Sequence, residues 1–208
     1  MASLSSKKRQ AKRTHIIKTA AEVMSRKGYA GTVMADISTA ADIGKGTLYE
    51  YFDSKEALFF EVFRWFSEST GAEAKISVSA LGRSATDRLR LLNDTVMNTW
   101  TDLKYVYGLT MEFWSASASH QMRSRFKTVF RDSYREFREV VAALLRDGTE
   151  RGEFNPNLKV EAIAAALVGT WDALLLQAWF DDEFDPVQSS RQFLDALFEG
   201  LLVEQKQL

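Results

Sequence analysis

The scarcity of proline is the feature of this sequence that most restricts its fold. Its 208 residues include only two prolines, Pro156 and Pro186, and 11 glycines. A proline inside a helix removes a backbone hydrogen bond and clashes with the preceding turn, so a chain nearly without proline can form long helices. Apolar residues recur at intervals of three and four along most of the chain, and the alternation typical of strands is rare. We therefore predict an all-α protein.

The apolar periodicity predicts about nine helices. Residues 1–10 are rich in Ser and Lys and lack periodic apolar positions, so we expect them to form a disordered tail. The helices are predicted at about residues 14–27, 33–41, 46–52, 54–70, 85–102, 105–117, 121–147, 158–180 and 186–205.

Several helix ends carry recognisable signals. Gly28 is expected to stop the first helix, and Thr32 is expected to cap the second. Asp53, with Glu56 three residues later, predicts a capping box at the start of the fourth. Asp185, directly before a proline, is expected to cap the last helix.

The fourth predicted helix is apolar on two faces, and such a helix must be covered on two sides. We therefore expect it to join an N-terminal three-helix head, residues 1–53, to a helical body, residues 54–208. The two apolar stripes are Leu58, Val62 and Trp65, and Phe59, Phe63 and Phe66.

Composition excludes several classes of function. The chain has no cysteine, which excludes disulfides and thiol chemistry, and its two histidines, His15 and His120, lie far apart in sequence. No Ser/His/Asp constellation, metal-ligand spacing or phosphate-binding glycine loop is present. We expect neither a metal nor another cofactor, and we do not expect an enzyme.

The longest apolar stretch, AIAAALVGTWDALLLQAWF (162–180), has the length of a membrane span. Asp172 near its centre would cost about 2.5–3.5 kcal/mol on insertion scales, so a helix packed within the protein is the better interpretation. No signal peptide is visible at the N-terminus. We expect a soluble, cytoplasmic protein with no membrane association.

The charge is unevenly distributed. Residues 1–52 carry nine Lys or Arg against four acids, whereas the remainder carries 18 basic and 24 acidic residues. A positive head on a negative body suggests that the head meets a polyanion. The alternative is that the basic run KKRQAKR (7–13) is only a solvated tail.

The segment GKGTLYEYFDSKEAL (44–58) indicates the function of the head. Three short helices, the second and third joined by a tight turn, match a helix-turn-helix, whose second helix enters the DNA major groove. Leu48 and Phe52, four residues apart, would form its buried face. The side chains left exposed are those of small residues, lysine and tyrosines, which suit a groove lined by phosphates.

The stretch GYAGTVMADISTAADIGKGTLYEYFDSKEALFFEVF (28–63) resembles the DNA-binding head of the TetR/AcrR family of bacterial transcription regulators. The resemblance is weaker in the body, at MEFWSASAS and TERGEFNPNLKVEAIAAALVGTWDALLLQ. It implies that the following residues bind DNA: Thr32, Lys45, Gly46, Thr47, Tyr49, Tyr51 and Lys55.

The head departs from the family pattern at two points. Val33 stands where a small hydroxyl residue is common, and Gly44 stands where serine is common. Asp42 lies in the turn, where its tolerance of left-handed backbone would preserve the motif. For Tyr51, packing and phosphate contact remain alternatives.

The last two helices have broad apolar faces and small residues that would allow a second helix to approach closely. Such faces suit a four-helix interface with a second copy of the chain, which the family resemblance also implies. The alternative is that they only cover their own core. The residues assigned to this interface are Ala162, Ala166, Gly169, Phe193, Leu194, Leu197, Phe198 and Leu201.

A small-molecule pocket is expected among the fifth to eighth helices, where methionines and aromatic residues suit an adaptable apolar site. The predicted walls are Met97, Trp100, Met111, Trp114, Phe126, Phe130, Tyr134 and Trp171. The polar residues within these apolar segments would either contact a ligand or pair with their neighbours: Asn93, Glu112, Thr170, Asp172 and Gln177.

The sequence therefore predicts a homodimeric transcription regulator that binds an operator in double-stranded DNA. We expect a repressor released by a small apolar or amphipathic effector. The alternative is an architectural, nucleoid-associated DNA-binding protein of the same fold without a small ligand.

Overall fold

The computed structural model describes residues 4–78, 84–102, 104–118 and 123–201. Within these ranges the chain forms nine helices and no strand, which confirms the predicted all-α fold. The helices are α1 (Leu4–Gly31), α2 (Met34–Ala40), α3 (Lys45–Tyr49), α4 (Lys55–Val78), α5 (Ala85–Asp102), α6 (Lys104–Ala118), α7 (Arg123–Glu150), α8 (Val160–Phe180) and α9 (Pro186–Leu201).

The chain divides into two compact units. The first unit consists of residues 1–68 and 103–129, and the second of residues 69–102 and 130–208. This division differs from the boundary predicted after residue 53. The physical reason is that α6, far away in sequence, packs against α1 and so joins the first unit.

Two helices are longer than their sequence patterns predicted. Helix α1 begins at Leu4, whereas we expected residues 1–10 to be disordered. The Lys, Arg, Gln and Ala residues of this segment are good helix formers, so a helix can continue there without an apolar stripe. Helix α4 runs to Val78, beyond its predicted end near residue 70.

Helix α1 is broken at Gly28, where φ is +70° and ψ is 160°, as its position at the predicted helix end suggested. The predicted cap of α2 was wrong. Thr32 is fully buried and its hydroxyl donates to the Gly28 carbonyl at 2.7 Å. Val33 holds the cap position instead, and its N–H donates to the Asp36 carboxylate at 3.1 Å.

The predicted cap residue is wrong for α4 and correct for α9. The Ser54 hydroxyl, rather than Asp53, accepts the Ala57 N–H at 3.0 Å at the beginning of α4. Asp185 caps α9 as predicted, because its carboxylate accepts the N–H groups of Val187 at 2.9 Å and Gln188 at 3.0 Å.

A cluster of phenylalanines fills the core of the first unit. Phe59 and Phe63 of α4 lie between Phe113 of α6 and Phe126 of α7, with ring centroids 4.8–5.7 Å apart. Phe60 meets Phe126 edge to face at 5.4 Å. Aromatic pairs at such distances contribute roughly 0.5–1.5 kcal/mol each beyond their buried area, so this cluster holds the three helices together.

The second unit is built by α5 packing against α8 and α9. Asn93 of α5 is fully buried. Its amide donates to the Ser190 hydroxyl at 2.9 Å, and its carbonyl accepts the Trp171 indole N–H at 2.9 Å. A buried amide with both ends satisfied fixes the register of all three helices.

Helix α8 (Val160–Phe180) is long and apolar enough to cross a membrane by length and composition alone, and no other helix among the described residues meets that test. Seven of its residues, including Leu167 and Trp171, are buried within the chain. The other residues of this apolar helix are partly or fully exposed in the single chain.

We expect Gly28→Ala to lower the free energy of unfolding by about 1–3 kcal/mol, because its φ of +70° with ψ of 160° lies in a region that essentially only glycine adopts. A Cβ at this position would also lie 3.1 Å from Oε1 of Glu112. Urea denaturation followed by circular dichroism measures the loss. Gly31→Ala is the matched control, since a Cβ there meets no atom closer than 3.9 Å. Equal effects at the two positions would contradict this account.

Candidate nucleic-acid interface

Helix α3 packs against the head through its apolar face, and its opposite face is exposed to solvent. Leu48 is fully buried and Phe52 is 3% exposed, which confirms the predicted core positions. Lys45 and Gly46 are exposed, and Tyr49 is 43% exposed. A Cβ added at Gly46 would meet nothing within 4 Å, so this side of the helix is open to a close partner.

The turn before α3 has the conformation that its sequence allowed. Asp42 adopts φ +52°, in the left-handed region that aspartate tolerates better than most residues. The Ile43 N–H donates to the Ser38 carbonyl at 3.0 Å, and Ala41 is buried. The turn is thus closed by backbone bonds, and Gly44 can begin α3 with an ordinary φ of −64°.

Tyr51 lies half-buried at the end of this segment and packs within the head, while its contact with phosphate stays a prediction. Its ring is 6.5 Å from the Phe52 ring, and the Arg9 guanidinium of α1 lies 5.7 Å from its centroid. Thr47 is also half-buried. Tyr51 therefore packs in the head while remaining partly accessible.

Lys55 has a role that the sequence did not reveal. Its ammonium donates to the carbonyls of Tyr29 at 2.7 Å, Thr32 at 2.8 Å and Ala30 at 3.4 Å, and it lies 4.4 Å from the Tyr29 ring centroid. These bonds use all three donors of the ammonium. In this conformation Lys55 ties α4 to the end of α1, and its contact with phosphate stays a prediction.

The same applies to Thr32, whose side chain is buried against Gly28. The predicted DNA-binding residues thus fall into two groups. Lys45, Gly46, Thr47, Tyr49 and Tyr51 lie on or beside α3 with accessible surface. Thr32 and Lys55 lie behind it, at the corner that connects α1 with α2.

Glu112 of α6 completes this corner. Its carboxylate accepts the Tyr29 N–H at 2.8 Å, directly after the break at Gly28. The sequence identified Glu112 as a polar residue in an apolar helix, for which ligand contact or pairing remained open. No pattern in the sequence pointed to Tyr29, 83 residues away.

Two other basic residues of the head form ion pairs within the first unit. Lys27 lies 2.8 Å from Asp36, and Arg13 lies 2.7 Å from Glu61. The bond to Lys27, and next the Val33 N–H, hold the pKa of the Asp36 carboxyl below its ordinary value. These cations thus brace α1 against α2 and α4.

The residues predicted for a dimer interface divide by exposure. Leu194, Phe198 and Leu201 are between 1% and 7% exposed and belong to the core of the second unit. The remaining five are accessible to some degree in the single chain. Ala162, Ala166, Gly169 and Phe193 are exposed, and Leu197 is half-buried.

The predicted pocket residues belong to both units. Phe126 is fully buried in the phenylalanine cluster of the first unit, where Met111 and Trp114 are half-buried. In the second unit, Met97 and Trp171 are buried. Phe130 and Tyr134 are half-buried there, and the side chain of Trp100 lies outside the described residues.

The polar residues of the body pair with protein groups. The Tyr134 hydroxyl donates to the Asp172 carboxylate at 2.7 Å, while Thr170 and Gln177 donate to carbonyls one turn earlier. Burial raises the pKa of the Asp172 carboxyl above its ordinary value, and the bond from Tyr134 opposes that shift.

The fold and the exposed face of α3 define a helix-turn-helix protein with a helical body. Residues 16–62 match the family model of bacterial regulatory proteins of the tetR family, and residues 85–203 match that of the BetI-type transcriptional repressor C-terminal domain. The chain belongs to the TetR family of transcription regulators, as its sequence resemblance indicated.

Known proteins are similar over nearly the whole chain. The transcriptional repressor KstR2 of Rhodococcus jostii is 27% identical over 91% of each chain. A TetR transcription regulator from Haloarcula marismortui has a TM-score of 0.82 at 18% identity, covering 93% of this chain and all of the other. FadR of Bacillus subtilis in complex with stearoyl-CoA has a TM-score of 0.72 at 21% identity, covering 90% and 98%.

We expect Lys55→Ala to lower the free energy of unfolding by about 2 kcal/mol, because three carbonyls lose a charged donor. Lys45→Ala, at an exposed position, should leave stability unchanged. Urea denaturation of both variants tests this difference. Equal stabilities would contradict the bracing role of Lys55, and a DNA-binding salt slope reduced by about 1 would show that Lys55 also reaches a phosphate.

Proposed function

We propose that the protein is a homodimeric repressor that binds an operator through α3 and is released by a small apolar or amphipathic ligand. The observation that carries the DNA-binding part is the two-faced construction of α3. Leu48 and Phe52 fix the helix, while Lys45 and Tyr49 extend from its opposite side. A helix held in this way can enter a major groove about 12 Å wide without rearranging.

Lys45, Tyr49 and Tyr51 are proposed to donate hydrogen bonds to phosphates, and Gly46 with Thr47 to allow the helix tip to approach the bases. Thr32 and Lys55 support α2 and α3 from behind in this proposal. Exposed donors on a rigid helix fix the orientation of the protein on the duplex, because phosphate contacts position and base contacts specify.

A second copy of the chain is proposed to cover the exposed faces of α8 and α9. Ala162, Ala166 and Gly169 form an exposed row of small residues along α8, and Phe193 is 37% exposed on α9. Small residues let helices approach closely, and a two-fold axis pairs such a surface with itself. A dimer of this kind would present two α3 helices to half-sites about 34–36 Å apart.

The proposed effector is apolar or amphipathic. FadR of Bacillus subtilis has been crystallised with stearoyl-CoA, an amphipathic molecule. The half-buried Phe130 and Tyr134 and the buried Trp171 are candidate wall residues of the second unit. The Tyr134–Asp172 pair would supply a polar contact.

Release is proposed to be a population shift, in which the ligand prefers one of two conformations. Glu112 gives α6 a direct bond to the residue after the break at Gly28. A movement of α6 would therefore reach the corner that supports α2, and the ligand would change the affinity for DNA through that corner.

The alternative is an architectural, nucleoid-associated DNA-binding protein of the same fold without a small ligand. Release of the protein from DNA by an added ligand would decide between the two functions.

Relatives of this chain are bacterial transcription regulators, and on that basis we place it in the cytoplasm and assign it no catalytic reaction. A turnover observed with purified protein would overturn the second assignment.

We expect purified protein to retain specific genomic fragments, whose sequencing yields the operator. Lys45→Ala should then reduce the slope of log K against log salt by about 1 for each head that engages, because each head loses one phosphate contact. Fluorescence anisotropy over a salt series measures the slope. Lys127→Ala, at an exposed position on α7, is the charge-matched control. If no duplex is bound at low salt, the proposed function fails.

We expect Ala166→Arg to convert the dimer to monomers, because it would place a charge between closely packed helices. Analytical ultracentrifugation at matched concentrations measures the change in mass. Ala143→Arg, at an exposed position on α7, should leave the dimer intact. A dimer that survives Ala166→Arg would exclude this face as the interface.

A further inference from the structure

The first three turns of α1 carry a basic face that the proposed interface does not include. Helix α1 begins at Leu4, and Lys8, Arg9 and Lys12 are exposed along it. Residues three and four apart share one side of a helix, so these three cations face the same way. Because this segment is helical, the backbone fixes the positions from which these long side chains extend.

This face is continuous with the segment that follows α3. Lys8, Arg9 and Lys12 line one open cleft of about 610 Å³ together with Glu50 and Tyr51. The Arg9 guanidinium lies 5.7 Å from the centroid of the Tyr51 ring. Tyr51 therefore belongs both to the proposed DNA-binding surface and to the wall of this cleft.

Arg13, one turn further along α1, differs from these three cations because it has an ion-pair partner among the described residues. It pairs with Glu61 at 2.7 Å and lies 5.2 Å from the Phe52 ring centroid. In the described part of the chain, no carboxylate lies within ion-pair distance of Lys8 or Lys12. With Glu50 as the one acid among its lining residues, the cleft has a surplus of positive charge.

The spacing of the cations suits a nucleic-acid backbone. Lys8 and Lys12 are four residues apart, about 6 Å along the axis of the helix. Each strand of a duplex carries one phosphate per about 3.4 Å of its axis. Long lysine and arginine side chains can adjust for the difference, so consecutive phosphates of one strand can be contacted from this single helix face.

We propose that Lys8, Arg9 and Lys12 form a second phosphate-binding surface, which extends the contact of α3 along the operator backbone beyond Tyr51. This inference rests on the proposed function and adds contacts to its DNA-binding surface. The surface reads no bases, so it strengthens binding to every duplex equally. An acidic protein segment is the competing partner for the same cleft, and continuity with α3 favours DNA.

The test is the triple variant Lys8→Ala/Arg9→Ala/Lys12→Ala, bound to the operator duplex and to a duplex of equal length and scrambled sequence. If each cation neutralises one phosphate, the salt slope should become less steep by about 2.7 for each head that engages. The ratio of the DNA affinity of the unmutated protein to that of the variant should then fall about 40-fold per head when the salt concentration rises from about 50 to 200 mM. The ratio of operator to scrambled affinity should stay unchanged.

Two further variants keep the result interpretable. Lys8→Arg/Lys12→Arg retains the charges and should retain the slope. Lys127→Ala/Arg131→Ala/Arg135→Ala removes three exposed charges from α7 and should leave DNA binding unchanged. Circular dichroism of the first triple variant should show an unchanged melting temperature, because its side chains are exposed.

Three outcomes would overturn the inference. An unchanged slope in the triple variant, with Lys45→Ala still reducing it, would show that the α1 face does not touch phosphates while the proposed function stands. An affinity loss confined to the operator would indicate base readout instead. Loss of binding to an acidic peptide, with DNA binding intact, would assign the cleft to a protein partner. Failure of the unmutated protein to bind any duplex would refute the proposed function itself.

Discussion

The head depends on how the backbone around the break at Gly28 is bonded. Gly28 adopts φ +70° and ψ 160° inside α1, and directly after it the Tyr29 N–H and the carbonyls of Tyr29, Ala30 and Thr32 bond to side chains. Glu112 accepts the N–H and Lys55 donates to the carbonyls. Unpaired buried backbone groups would cost about 1–3 kcal/mol each, so these two charged side chains allow the sharp corner from which α2 and α3 are positioned.

The same corner joins three parts of the chain that are distant in sequence. Lys55 comes from the first turn of α4, and Glu112 from the middle of α6. The phenylalanine cluster, whose Phe59 contacts the Tyr29 ring, packs α4, α6 and the beginning of α7 together. The corner that positions α2 and α3 therefore rests on aromatic packing and on two charge-assisted contacts.

The candidate DNA-binding surface shows how far sequence patterns reach. The spacing of Leu48 and Phe52 predicted which side of α3 is buried, and the left-handed tolerance of Asp42 predicted the turn. Family resemblance also placed Thr32 and Lys55 in contact with phosphate. The structure shows that both side chains also have partners within the protein, which the motif alone could not identify.

The sequence by itself determined the helical class, most helix boundaries, the break at Gly28 and the buried face of α3, because these follow from local periodicity and backbone preference. Tertiary structure alone decided which elements form a unit, since the packing of α6 on α1 joins residues about 80 positions apart. It also decided that Arg13 pairs with Glu61 while Lys8 and Arg9 face an open cleft. Whether a charged side chain stabilises the fold or is available to another molecule depends on the groups close to it in the tertiary structure.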